Sequence, residues 1–242
     1  MQNMSTTLTL QNLYSPIQSP LNEVKDSISQ LWTDALELVG IQGANPPAMS
    51  GKMLRPALCL MSAGALGATD LKKFVPLASA FEALHLASLA HDDVIDRALL
   101  RRGASSLAGL WDNHAAVLGG DYLVARSVEI LATYDSCPVI ANAIKSVRQM
   151  AEGELFFFNR EVSTITQDDC IMLAKRKTAS LFAEAISAPS YVLGDTFRDA
   201  LYRFGIGLGI AFQLVDDILD VTQTTDQLGK PSCGDVVEGK QT

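Results

Sequence analysis

The sequence predicts an all-α fold organised as a single helical domain, and three observations carry that prediction. Long segments rich in Ala, Leu and Ile repeat their apolar residues at three-to-four-residue spacing, the period of an amphipathic helix. β-Branched runs with strict alternation do not recur, and no Asn-Gly or Asp-Gly pair stands between apolar stretches, so strand and hairpin signals are few. The segments are separated by short breaks at 40–47, 67–70, 101–106, 136–138 and 163–166, each holding Gly, Pro, Ser or Asp.

Composition narrows the class further. The chain of 242 residues is 48% hydrophobic and 19% charged, enough to build a real core and too apolar for a disordered chain. Nineteen basic against 27 acidic residues give a formal net charge of -8, which argues against an extended basic surface for nucleic acid or anionic lipid. Cys59, Cys137, Cys170 and Cys233 are scattered without a CxxC pair, so reduced thiols in the cytoplasm are expected rather than a zinc site or disulfide framework. No apolar run approaches the roughly 18 residues needed to span a bilayer, and no transmembrane segment is expected.

In chain order, residues 1–20 are polar, with Pro16 and Pro20, and are expected to form an N-terminal arm, regular structure beginning near Leu21 and the helical domain running over 21–242. The Gly51–Pro56 segment places Lys52 and Arg55 three residues apart. The next helix runs through Phe81 to Asp96, apolar at first and ending in Asp92, Asp93 and Asp96. At 3.6 residues per turn, His85, Ser88, Asp92 and Asp96 share one stripe. Acids at the C-terminal end of a helix oppose its dipole and repel one another, so a positive charge must meet them. Arg101 and Arg102 follow before Gly103.

Further on, Glu152-Gly-Glu154 precedes Phe156, Phe157 and Phe158, which cannot all face one side of a helix; core or dimer contact accounts for them as well as a ligand wall does. Lys175-Arg-Lys177-Thr178 is expected to open another helix. The segment from Phe204 to Asp220 repeats the acidic arrangement with Asp216, Asp217 and Asp220, and its stripe is Gln213, Asp216 and Asp220. Gly205, Gly207 and Gly209 lie inside it, each costing about 1 kcal/mol against Ala, so close helix contact or ligand space should compensate. The remainder, from Thr222, is polar and glycine-rich.

Two DDxxD units in one chain point to metal chemistry. Carboxylates are hard ligands suited to Mg²⁺, which takes one or two of them per ion and shares its other positions with water and phosphate. Zinc hydrolysis calls for His-rich sets, and the chain has only His85, His91 and His114. A di-iron bundle needs Glu-x-x-His on two helices, and only Glu82 with His85 qualifies. The bland alternative is that each acidic group is a solvated helix end. Against it, the few basic residues are bunched around the acidic motifs: Lys52 and Arg55, Arg101 and Arg102, Lys175 to Lys177, Lys230 and Lys240. Arginine forks and lysine point charges are the ordinary partners of diphosphate oxygens.

The ordered motifs GKMLRP, EALHLASLAHDDVIDRALLRRG, GGDYLVAR, KRKTASL, GIAFQLVDDILD and GKPSCGDVVEGK, from Gly51 to Lys240, resemble those of the trans-polyprenyl diphosphate synthase family, all-α isoprenoid synthases. The resemblance implies a helical bundle around a central cavity. It also implies a Mg²⁺-dependent head-to-tail condensation of isopentenyl diphosphate with an allylic prenyl diphosphate. Three Mg²⁺ ions would bridge the allylic diphosphate to Asp92, Asp96 and Asp216, and Lys177 would join these in catalysis. By the same motif matching, Lys52, Arg55, His85 and Arg102 hold isopentenyl diphosphate. Arg101, Lys177, Thr178, Gln213, Lys230 and Lys240 hold the allylic diphosphate. His85 is equally read as a core histidine on an apolar face. In this family the residues four and five before the first aspartate gate chain length. Here they are the small Ser88 and Ala87, which favours a product of twenty carbons or more. Phe157 stands where the family usually has glutamine.

The chain stops just after the last motif, whereas family members continue through several more helices, so the bundle is expected to lack its C-terminal helices. A homodimer is implied by the resemblance alone. The alternative is a non-catalytic or regulatory subunit of a heteromeric prenyl diphosphate synthase. A terpene cyclase is disfavoured because it has little need for Lys52, Arg55 and Arg102.

Overall fold

Helix begins at Leu10 in the computed structural model, which describes residues 9–38, 51–96, 100–101, 104–105, 109, 112–158 and 160–222. Helix α1 (Leu10–Tyr14) is capped by Thr9, whose hydroxyl accepts from the Asn12 amide. A 3₁₀ turn (Ser15–Ile17) leads into α2 (Gln18–Leu38). The expected start near Leu21 is therefore corrected for the described part of the arm. Pro16 and Pro20, which mark irregular chain by composition alone, occupy first turns, where a missing N–H costs nothing. Ile17, Leu21, Val24, Ile28 and Trp32 are buried along the inner face of this stretch.

Two helices lie at the centre. Helix α4 (Val75–Ile95) follows α3 (Leu54–Ala65) and a 3₁₀ turn (Leu71–Phe74), and it buries Leu77, Phe81, Leu84, Ala87 and Ala90 along almost its whole length. After a two-residue-per-strand hairpin pairing β1 (Leu100–Arg101) with β2 (Ala104–Ser105), α5 (Asn113–Ala132) returns against α4. Tyr134 fastens this pair: its hydroxyl donates to the Lys73 carbonyl at 2.7 Å and accepts from the Leu77 amide at 3.0 Å. Helix α6 (Cys137–Phe157) starts at the expected 136–138 break, with Pro138 in its first turn.

The second central element runs without interruption from Gln167 to Leu193. It comprises α7 (Gln167–Leu173), a π-helical turn (Ala174–Ala179) and α8 (Ser180–Leu193), in which every residue from Ser180 to Ser190 is buried. The Lys175 to Thr178 segment therefore does not open a helix, as expected from its charge, but sits in the middle of one. The start signal is the capping box of Thr166 and Asp169, whose mutual hydrogen bonds also hold the Asp169 carboxyl below its ordinary pKa. A break that periodicity does not reveal falls at Gly194 (φ +67°), followed by α9 (Arg198–Thr222).

Two of the three glycines in α9 have the role expected of them. A Cβ on Gly205 would stand 2.4 Å from the Ala183 Cα, and one on Gly209 would stand 2.4 Å from the Ala179 Cα, so α9 crosses α8 and the π turn in backbone contact. Gly207 faces open space, where an added methyl group would meet no atom within 4 Å. It shares that outer face with exposed Phe204, Leu214, Val215 and Ile218. Among the described residues no helix is long and apolar enough to cross a membrane.

Candidate active site

The first acidic motif closes α4. Asp93 is buried, Asp92 and Asp96 are half-buried, and the Asp96 amide caps the helix by donating to the Asp92 carbonyl at 2.8 Å. His91, just before the motif, is tied to α5: its Nε2 lies 3.2 Å from the Val117 carbonyl oxygen and 3.3 Å from Asp121 Oδ1. Gly120 permits this, since a Cβ there would fall 2.3 Å from His91 Nε2. The sequence offered no signal for this seat, because a helix–helix contact is not local.

The positive charge demanded by the acidic helix end is Lys177. Its Nζ stands 3.5 Å from Asp92 Oδ2 and also forms an ion pair with Glu154 of α6. The next residue, Thr178, donates to Gln213 Oε1 at 2.5 Å, and Gln213 Nε2 donates to Asp217 Oδ1 at 2.8 Å. Consecutive residues of the π turn thus reach one acidic motif each. The carboxylate bonded to Gln213 is Asp217, four residues on; Asp216 is exposed and Asp220 is buried.

The remaining expected residues fall around this centre. The Arg55 guanidinium stacks 4.4 Å above the Phe182 ring, and Phe182 lies against Phe212, the neighbour of Gln213, with centroids 5.5 Å apart. The Lys52 side chain is exposed, and its carbonyl accepts from the Tyr14 hydroxyl at 2.8 Å. His85 is half-buried and its carbonyl accepts from Ser88 Oγ at 2.7 Å, while Ala87 is buried. Of Arg101 only the backbone, in β1, is described; Arg102, Lys230 and Lys240 lie outside the described residues. The phenylalanine triplet splits as geometry requires: Phe156 and Phe157 meet edge to face at 5.1 Å, and Phe158 points to solvent.

Among the described residues no group of three His, Cys, Asp or Glu side chains converges to hold a metal by itself. Mg²⁺ does not require one, because it completes its shell with water and phosphate oxygens. The oxygen-only donors fit that ion, and Asp92 already faces a cation in the Lys177 ammonium.

A separate cavity of about 440 Å³ opens between α6, α8 and the start of α9, lined by Asn142, Lys145, Glu184, Tyr191, Arg198 and Tyr202. Burial pushes the Glu184 carboxyl up from 4.5 to about 7, with Lys145 and Arg198 opposing the shift. Between those values the unfolded chain releases this proton and the folded chain keeps it. Stability should therefore fall as pH rises from about 4.5 to about 7 and level off above. Glu184→Gln removes that slope and is expected to raise Tm at pH 8 by roughly 7 to 14 °C, with little change at pH 4.5. Parallel Tm–pH curves for the two proteins would contradict the assignment.

Comparison with known proteins gives a consistent result. Residues 45–242 match the family described as polyprenyl synthetase. An all-trans-nonaprenyl-diphosphate synthase (geranyl-diphosphate specific) from Rhodobacter capsulatus is 34% identical over 234 residues, covering 96% of this chain and 72% of that protein. Heptaprenyl diphosphate synthase component 2 of Bacillus subtilis (strain 168) is 33% identical, covering 95% of this chain and 66% of its own length. The crystal structure of polyprenyl synthase from Caulobacter crescentus CB15, complexed with calcium and isoprenyl diphosphate, superimposes with a TM-score of 0.86 at 32% identity, covering 97% of this chain and 72% of that one.

Proposed function

Because the chain belongs to the polyprenyl synthetase family, we propose that it joins isopentenyl diphosphate head to tail to an allylic prenyl diphosphate, giving a trans product of twenty carbons or more. The observation that carries this reading is the pair Lys177 and Thr178. Adjacent in the chain, they reach Asp92 of the first acidic motif and, through Gln213, Asp217 of the second. An anion of diphosphate size placed there would meet the Lys177 ammonium and the Thr178 hydroxyl between two carboxylate groups. Asp92, Asp96 and Asp216 are the residues proposed to hold Mg²⁺, three ions in all; bound metal supplies the charge neutralisation that a departing diphosphate needs. That the Caulobacter relative is complexed with calcium and isoprenyl diphosphate supports a divalent ion as part of this reading.

Ionisation of the allylic diphosphate leaves an allylic cation, which the double bond of isopentenyl diphosphate attacks. The proton lost afterwards goes to the departing diphosphate, so no strong protein base is required. Lys52, Arg55, His85 and Arg102 are proposed for isopentenyl diphosphate, and Arg101, Lys177, Thr178, Gln213, Lys230 and Lys240 for the allylic partner. Ala87 and Ser88, on the inner side of α4, would leave room for the growing chain. A homodimer is proposed, supported by the exposed apolar Leu118 of α5 and Leu155 of α6, and a cytoplasmic setting is proposed from the cysteines scattered without a CxxC pair.

A second reading, a non-catalytic or regulatory subunit, is favoured by the name of the Bacillus relative, a component of a synthase. The test is incubation of the purified chain with radiolabelled isopentenyl diphosphate, farnesyl diphosphate and Mg²⁺, with chain-length analysis of the products. A ladder ending at one length is expected. Product formed only after mixing with a partner subunit would replace the first reading with the second.

A further inference from the structure

We propose that Glu154, which lies in neither acidic motif, is a positioning residue of this site. As a second carboxylate for Lys177, it keeps that ammonium in place when Asp92 exchanges it for a divalent cation. The inference rests on the reading of the site as one for metal and diphosphate.

Three observations support it. Glu152 and Glu154 stand two residues apart on α6 and so point about 200° apart around the helix. Glu152 pairs with Arg148 on α6 itself, whereas Glu154 crosses to Lys177. The intervening Gly153 is buried, and a Cβ there would lie 3.3 Å from Leu173 Cδ1, 3.4 Å from Arg176 Cβ and 3.7 Å from the Lys177 amide nitrogen. The missing side chain thus lets α6 approach the π turn at the residue that Glu154 holds. Finally, the three charged side chains are sheltered: Asp92 is 17% exposed, Lys177 30% and Glu154 32%. Their interactions are screened less than those of open surface pairs.

The charges fix the direction of the effect. Two carboxylates around one ammonium leave a net negative site that attracts a cation. When a divalent ion takes Asp92, Lys177 keeps a carboxylate in Glu154, and its ammonium stays beside the site, where a diphosphate would meet it. With glutamine at this position both contributions are lost, so metal uptake should weaken.

The experiment is a calorimetric titration of the full chain with Mg²⁺ in the presence of inorganic pyrophosphate, alongside the Mg²⁺ dependence of the initial rate. Glu154→Gln is expected to raise the half-saturating Mg²⁺ about three- to tenfold, with the change falling on metal dependence more than on kcat. Glu154→Ala, measured in parallel, should shift in the same direction, so a folding defect in one variant does not decide the result. Glu154→Asp should return to within about twofold of the wild type. Unshifted Mg²⁺ curves in both neutral variants, or a loss of kcat alone, would overturn the role of Glu154. A wild-type chain that takes up no Mg²⁺ with pyrophosphate would overturn the reading of the site itself.

Discussion

Replacing Asp92 or Asp216 with Ala is expected to lower prenyl transfer by about a hundred- to a thousandfold, while far-UV circular dichroism keeps its helical signal. For Asp92 the argument runs through its surroundings. It is half-buried at the end of a helix whose anchors, Leu77, Phe81 and Leu84, lie turns earlier, and its Lys177 partner keeps Glu154 when the carboxylate is removed. Asp216 is the cleaner test. Its side chain is exposed, so a loss of rate on its removal has no folding explanation. Initial rates with farnesyl diphosphate and Mg²⁺ are the measurement, and wild-type-like rates in both variants would sink the metal assignment.

Gly209→Ala should be the most damaging small substitution in α9. The added methyl group would meet Ala179 at 2.4 Å from its Cα, 2.7 Å from its Cβ and 3.2 Å from its N. Two of these atoms are backbone, which no rotamer change can move, so relief requires α9 to draw away from the π turn. Overpacking of this kind costs about 3 kcal/mol, or roughly 6 to 12 °C in Tm for a chain of this size. Gln213 lies one turn further on, so its hydrogen bond from Thr178 should loosen and the rate should fall with stability. Gly207→Ala is the control: with nothing within 4 Å, it should be neutral or stabilise by about 0.5 to 1 kcal/mol. Equal losses at both positions in thermal denaturation would contradict the contact.

Much of this arrangement could be read from the amino-acid order. Apolar periodicity revealed the long helices, and the charge argument at the end of α4 demanded a cation, which the structure supplies as Lys177. The cost of the glycines at 205, 207 and 209 called for close helix contact or ligand space, and at 205 and 209 the structure shows it to be contact. What stayed hidden was mostly non-local. Glu154 meets Lys177 because two helices cross, and although Gly153 lets them approach, nothing in the sequence says which helix it meets. The helical start at Leu10 was masked by a polar outer face and by prolines that first turns accommodate. Basic residues at 175–177 resembled a helix boundary, although the boundary signal, Thr166 with Asp169, lay earlier.

The π turn at Ala174–Ala179 has a consequence for how this stretch can change in length. A helix that carries one extra residue in a single turn is out of phase with itself by about 100° on either side. Losing one residue there would close the backbone into a regular helix with α7 and α8 still facing as they do, whereas straightening the turn with that residue kept would rotate α7 against α8 by about that angle. Lys177 and Thr178 could then no longer serve both acidic motifs at once. A surface loop absorbs a change of length at almost any point; here the spare residue is confined to one turn, and keeping it there sets the facing of the helix on either side.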